Sequence, residues 1–291
     1  MRTAWADTPE PLRAAVAEAL GAAVSDHRDL RGGMSPGPAV GLRLADGRRV
    51  FVKAESAQVR SHNHAMVLRE AAILDVLPPS VPAPRRLATV AWGHWAALVT
   101  TWAPGTTGGL WSDTSIAAVV RACRAASAHR APPALVPVAE RLAGFDGWER
   151  LLELGVEQAH AGRAAAMVAG WERWTAGNAL VHRDIRLDNT ARAGKAVLLD
   201  WAYAASGAPW IDQAQLAADV VATGHERGPE VATDRAHQLL RSLPPDASRF
   251  VVGLAGMWRW RAATVPDAVR PIAAWRRARA DALRPLLTRL L

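Results

Sequence analysis

The chain has 291 residues, half of them hydrophobic, with a formal net charge of +8 and a single cysteine. That length can bury a sizeable core in one large domain or two lobes, and no apolar run approaches the roughly 18 residues of a membrane span, which excludes a spanning protein. The basic balance would suggest nucleic acid if it were spread evenly, but residues 251–291 hold eight arginines against Asp267 and Asp281, so the basicity is mostly a C-terminal property, read as a solvated helix face.

In chain order, residues 9–20 predict a helix, and RGGMSPGP at 31–38 gathers glycine and proline into a loop. AVGLRLADGRRVFVKAE alternates apolar and polar positions on both sides of Asp46-Gly47, which predicts two strands joined by a two-residue type I′ turn, with Lys53 near the end of the second. HAMVLREAAILDVL, about His64 to Leu77, carries apolar residues at helical spacing, holds Glu70 and stops before Pro78-Pro79. VPAPRRLATVAWGHWAALVTTW predicts two further strands meeting near Gly93-His94, followed by a hinge at Ala103-Pro104-Gly105. Beyond about residue 112 the pattern becomes long amphipathic helices, interrupted from Leu180 to Asp200 by strand, loop and small hairpin. Cys123 falls on a helical core position and implies neither a disulfide nor a redox role. The opening segment lacks the basic-then-apolar order of a secretory signal, so a cytoplasmic protein is expected.

The chemistry concentrates in Val181-His182-Arg183-Asp184-Ile185-Arg186-Leu187-Asp188-Asn189, which resembles a kinase catalytic loop. Phosphoryl transfer to an alcohol needs a carboxylate that accepts the hydroxyl proton, and Asp184 fits that role. It also needs oxygen ligands for Mg²⁺, which Asn189 and Asp200 would supply, Asp200 standing at the end of the apolar run Ala196–Leu199. Upstream, Lys53 stands where a kinase strand presents its α/β-phosphate lysine, and Glu70 where a helix presents the carboxylate partner. Lys53 is one of only two lysines in the chain. The Gly32–Gly37 loop precedes this strand pair as a phosphate cover would, with Ser35 and Gly37 as its phosphate-contacting positions.

Taken together, GGMSPG, VFVK, REAAIL, VPAPRRLA, VHRDIRLDN and LLDWAYAASGAPWIDQA are similar, in order, to successive blocks of the aminoglycoside phosphotransferase family, from about Arg31 to Leu291. Arg183 departs from the small residue common at that position. The resemblance implies an α+β, two-lobed, protein-kinase-like fold: a β-rich N-terminal nucleotide-binding lobe, residues 1–102, and a helical C-terminal lobe, residues 103–291, with the catalytic loop and acceptor pocket and the nucleotide in the cleft. It implies ATP, with GTP left open, and Mg²⁺ as cofactors. It places the adenine-facing backbone at Thr101 to Ala103, with Trp102 turned to packing, and makes Asp212 a buried brace beneath the catalytic loop. His182 is read as structural, Asp188 as a turn cap, and His62 and His64 as too sparse for a metal site.

The expected activity is transfer of a γ-phosphate to a hydroxyl of a small molecule such as an antibiotic, other natural product or sugar, without nucleic acid, membrane or specified oligomeric partners. A nucleotide-binding pseudokinase or scaffold is the alternative. A peptide substrate is disfavoured because the short stretch from Asp200 to Asp212 leaves no room for an activation segment. Trp258-Arg259-Trp260-Arg261, Trp275-Arg276-Arg277 and Arg279 disfavour a polycationic acceptor, whereas Asp146, Glu149, Glu153 and Glu157 would favour one if they lined the pocket.

Overall fold

The computed structural model describes residues 2–30, 32, 35–155, 160–264 and 270–291. The chain divides into two compact units, Met1–Thr106 with Val197–Ala202, and Thr107–Ala196 with Tyr203–Leu291. A single boundary between residues 102 and 103 does not describe this division, because the short stretch carrying Asp200 belongs to the first unit.

The first unit contains helix α1 (Glu10–Leu20), strands β1 (Val24–Asp29), β2 (Ala39–Leu44) and β3 (Arg49–Ser56), helix α2 (Ala57–Val76), and strands β4 (Arg86–Trp92) and β5 (Trp95–Thr101). The strands form one antiparallel sheet in the order β1-β2-β3-β5-β4. Alternation along β2 and β3 sends Val40, Leu42, Leu44, Val50, Val52 and Ala54 into the core. There they meet Leu12, Val16 and Leu20, the i, i+4, i+8 stripe of α1, each such side chain contributing about 1.5–3 kcal/mol of burial. The opposite parity of β3 presents Lys53 and Glu55, and α2 packs along β3 and β5. α2 begins seven residues before the expected His64, with a non-helical Arg60 marking a kink inside it.

The β2–β3 connection differs from the expected type I′ turn. Among the described non-glycine residues only Arg183 and Asp200 have positive φ, so Asp46 does not adopt the geometry that turn requires, whereas Gly47 does, at φ 86°. Leu44 and Arg48 still pair through Leu44 N–H to Arg48 O at 2.9 Å, and the Asp46 carboxylate accepts the Arg48 N–H at 3.0 Å. That side-chain bond favours a longer loop with one left-handed glycine.

The second unit is mainly helical: α3 (Asp113–Ser127), α4 (Gly147–Glu153), α5 (Ala161–Val168), α6 (Trp171–Trp174), α7 (Ile211–Thr223), α8 (Pro229–Arg241), α9 (Asp246–Thr264), α10 (Arg270–Ala282) and α11 (Arg284–Leu290). Strand β6 (Ala179–Val181) pairs with β9 (Ala205–Gly207), and β7 (Thr190–Ala193) leads to β8 (Lys195–Leu198), within which the chain returns to the first unit. The core gathers Phe145, Trp148, Trp210, Phe250 and Trp258 around α7 and α9. α4 and α9 cross closely because a Cβ at Gly256 would collide with Trp148, and one at Gly147 with the Gly256 carbonyl. No helix among the described residues is long and apolar enough to cross a membrane.

Candidate active site

In the first unit, β3 and α2 bring Lys53 and Glu70 into an ion pair, and the Lys53 ammonium also donates to Asp200 Oδ1 at 3.0 Å. Glu70 is buried at 3 % exposure and additionally accepts the Trp201 N–H at 3.2 Å. Burial works against the charge on Lys53, but Asp200 and Glu70 together outweigh it, and its pKa is pushed above the ordinary lysine range. Burial likewise raises the Glu70 carboxyl, opposed by Lys53 and reinforced by Asp200. The result is a permanently cationic lysine held beside a carboxylate that keeps part of its surface exposed. Asp200 is held at φ 63°, a backbone cost of about 1–3 kcal/mol that the surrounding contacts must sustain.

The glycine loop is arranged differently from expectation. Gly33 and Met34 lie outside the described residues. Gly37 is buried, and its N–H donates to Glu55 Oε1 at 3.2 Å instead of being free for a phosphate. A Cβ there would collide with the Ala54 carbonyl, so glycine is needed for packing on β3. Ser35 is exposed, and its Oγ accepts from Asn63 at 3.5 Å. At the segment expected to face adenine, Thr101 N–H is already spent on Arg85 O at 2.8 Å. Trp102 packs over Gly41 and beneath the Arg49 guanidinium, 4.3 Å from the ring centroid.

In the second unit, the loop from His182 to Asn189 hangs from α7 by two buried aspartates seven residues, or two helical turns, apart. Asp212 accepts the N–H groups of His182 at 2.7 Å and Arg183 at 2.9 Å, while Asp219 accepts the Leu187 N–H at 3.0 Å. His182 is fully buried, and its Nδ1 accepts the Asp184 N–H at 3.2 Å. Arg183, at φ 71°, is buried against Phe250, and burial lowers its pKa to about 10 despite Asp212 and Asp184. These bonds aim Asp184, whose Oδ2 accepts Asn189 Nδ2 at 2.7 Å. Asn189 Oδ1 accepts Arg186 Nη2 at 3.2 Å. Arg186 Nε also lies 3.6 Å from Asp184 and 3.2 Å from Asp188. Asp188 thus pairs with Arg186, and no side chain caps the N-terminus of the turn at Leu187–Asn189.

The sequence reading missed Asp219, Arg186 and Arg279 as organisers of this loop. Two acidic residues inside IDQAQLAADVVAT, a helix whose other residues are apolar save two glutamines and a threonine, were the available signal. Among the described residues no three His, Cys, Asp or Glu side chains gather as a metal cage. Mg²⁺ carried by a nucleotide needs only one or two side-chain oxygens besides phosphate, and the partly exposed Asp200 carboxylate and the Asn189 amide oxygen, once released by Arg186, are of that kind.

A family model described as the phosphotransferase enzyme family matches residues 38–250. Among curated proteins, none matches. Similar solved structures include an aminoglycoside phosphotransferase from Alicyclobacillus acidocaldarius, at 15% identity over 98% of this chain and 97% of that one, with a TM-score of 0.60. A macrolide 2′-phosphotransferase from Brachybacterium faecium shares 17% identity over 95% and 99% of the two chains at 0.60. A choline kinase from Streptococcus pneumoniae shares 14% over 96% and 98% at 0.57. At these identities the likeness is one of fold.

Proposed function

The chain belongs to the phosphotransferase enzyme family, and from that premise we propose that it is an ATP-dependent, Mg²⁺-requiring kinase that phosphorylates a hydroxyl group of a small molecule. The observation that carries this reading is the Lys53 ammonium fixed between Glu70 and Asp200. An ammonium so held is a preorganised partner for nucleotide phosphates, and Asp200 beside it is a hard oxygen ligand for the accompanying metal. Bound Mg²⁺ would neutralise the phosphate charge, and Asp200 and Asn189 are the side chains that would each offer it an oxygen.

Asp184 receives the proton of the acceptor hydroxyl. The alcohol oxygen forms its bond to the γ-phosphorus, the bond from that phosphorus to the β–γ bridging oxygen breaks, and ADP leaves. Asn189 and Arg186 orient Asp184, and the two α7 aspartates hold the loop so that little reorganisation is needed at the moment of transfer. The similar structures are named for aminoglycoside, macrolide and choline acceptors, three chemically unlike molecules, so the fold does not choose among them.

The test is an ADP-release screen with Mg-ATP, and in parallel Mg-GTP, against hydroxylated antibiotics, sugars, nucleosides and hydroxy acids, followed by mass measurement of product. A gain of one phosphoryl group on an acceptor supports the reading. Nucleotide binding without product from any acceptor would favour a pseudokinase.

A further inference from the structure

Of the acids expected to favour a polycationic acceptor, Asp146 is taken up by Arg150 at 2.7 Å, and Glu157 lies outside the described residues. The contacts that reveal a further functional residue lie instead in the first unit, where the stretch Val197–Ala202 rejoins the sheet and α2. Asp200 stands there at φ 63°, a left-handed conformation that residues other than glycine leave unless something holds them. On its N-terminal side, Leu198 N–H donates to Pro82 O at 2.7 Å. On its C-terminal side, Trp201 Nε1 donates back to Leu198 O at 2.8 Å, and the Trp201 N–H donates to Glu70 Oε1 at 3.2 Å. The residue beside Glu70 on α2 completes the hold, since Arg69 Nε donates to the Ala202 carbonyl at 2.7 Å.

Arg69 and Glu70 therefore take the C=O of one residue and the N–H of the residue before it. Consecutive helical side chains point about 100° apart, so the two reach the segment from different sides. The carboxylate only accepts and the guanidinium only donates, which fixes the orientation of the backbone as well as its position. Trp201 and Ala202 are buried, so water is a poor substitute for the guanidinium donor. Glu70 is shared with Lys53, and replacing it disturbs the ammonium too. Arg69 can be changed with that ion pair in place.

We infer that Arg69 is a positioning residue for the metal-facing carboxylate: by holding the Ala202 carbonyl it keeps Asp200 in its left-handed turn beside Lys53, and so sets how tightly the protein binds the divalent metal carried by a nucleotide. This rests on the phosphotransferase reading, in which Asp200 offers that metal an oxygen, and adds a residue outside the group that touches metal or phosphate. Without the tether the turn relaxes toward negative φ and carries the carboxylate away from Lys53. The apparent metal affinity scales with the fraction of molecules whose Asp200 is so placed, and losing one charge-assisted hydrogen bond lowers that fraction about 10-fold or more.

The test uses the whole chain and needs no acceptor. Calorimetry gives the affinity for ADP in excess Mg²⁺ and again in chelator, and the ratio of the two is the gain due to the metal. Arg69→Met keeps the apolar stem and removes the donor. It should lower that ratio about 10-fold or more while changing metal-free ADP binding less than about 2-fold. Arg69→Lys can still donate to the carbonyl but lacks the planar fork, and should lower the ratio only about 2–5-fold. A ratio unchanged in Arg69→Met, or in Arg69→Lys should the Met protein not fold, overturns the inference. So does equal weakening of ADP with and without metal, which marks Arg69 as a packing residue alone. If the wild-type protein binds no nucleotide, or gains no affinity for ADP from Mg²⁺, the phosphotransferase reading falls and this inference with it, so the wild-type control separates the two failures.

Discussion

Replacing Asp219 with alanine should destabilise the second unit more than replacing the arginine that it pairs with. Its carboxylate is 1 % exposed and accepts Trp111 Nε1 at 2.9 Å, Leu187 N–H at 3.0 Å and Thr223 Oγ1 at 3.2 Å, besides the Arg279 ion pair. Removal leaves Arg279 buried without a counter-ion, a loss of about 3–5 kcal/mol, and orphans further donors worth roughly 1–3 kcal/mol each before water or relaxation intervenes. At roughly 2 °C per kcal/mol for a chain of this size, the stranded Arg279 alone should lower the melting temperature by about 6–10 °C, and the orphaned donors should lower it further.

Arg279→Met removes the cation but leaves Asp219 with its three neutral donors, and the straight side chain still fills the space between Trp258 and Trp275, whose ring centroids lie 5.1 and 4.9 Å from the guanidinium. Its cost should be about 1–2 kcal/mol, mainly the lost cation–π and ionic contacts. The double variant should be more stable than Asp219→Ala alone, because the orphaned charge is gone. Thermal melts followed by near-UV circular dichroism, arranged as a double-mutant cycle, read all four proteins. Additive losses, or an Arg279→Met variant as damaged as Asp219→Ala, would refute the reasoning.

On catalysis, Asp184→Asn should retain Mg-nucleotide affinity while losing about 100-fold or more in kcat, whereas Asp200→Ala should weaken Mg-nucleotide binding itself; calorimetry and steady-state kinetics on an identified acceptor separate the two. His160 sits edge-on to Trp148 at 5.5 Å, and burial, then Arg259, Arg163 and Arg284, depress its pKa below the ordinary 6.5. Its contribution is therefore complete above about pH 6.5 and lost as the pH falls below it, so His160→Phe should flatten the decline in melting temperature between about pH 6.5 and 5.5; parallel profiles would contradict this. Burial foremost, with Asp212 nearby, pushes the Cys123 thiol well above its usual range, so thiol reagents should label native protein only as fast as it opens, and prompt labelling would show the site is accessible.

The parts of the fold legible in the sequence were those set by local periodicity. The β2–β3 alternation, the apolar spacing of α2 around Glu70 and the run from Val181 to Asn189 each carry their signal within a few residues. Strand β1 carried none, since five of its six residues are exposed and only Val24 is half-buried, and pairing with β2 alone makes it a strand. Glycine composition at Gly37 and the family resemblance at Thr101 suggested free backbone donors, but Glu55 and Arg85 claim those N–H groups through tertiary contacts. The link between Asp219 and Arg279 was equally hidden, because it joins residues 60 positions apart. The two acids of α7 broke an apolar pattern visibly, yet only the fold shows that both face the same loop.

The discontinuity of the first unit bears on how the protein is made. Its sheet and both its helices are complete by Thr106, but Asp200 is delivered only after Thr107–Ala196 has been synthesised. An emerging chain can therefore pair Lys53 with Glu70 well before the third member of the cluster exists, and closing a loop of about 90 residues carries an entropic cost that grows only logarithmically with its length. A fragment ending near residue 106 would keep the sheet yet lack the carboxylate that Lys53 reaches. The Lys53–Glu70–Asp200 cluster is thus completed late in synthesis, after the segment from His182 to Asn189 has been made.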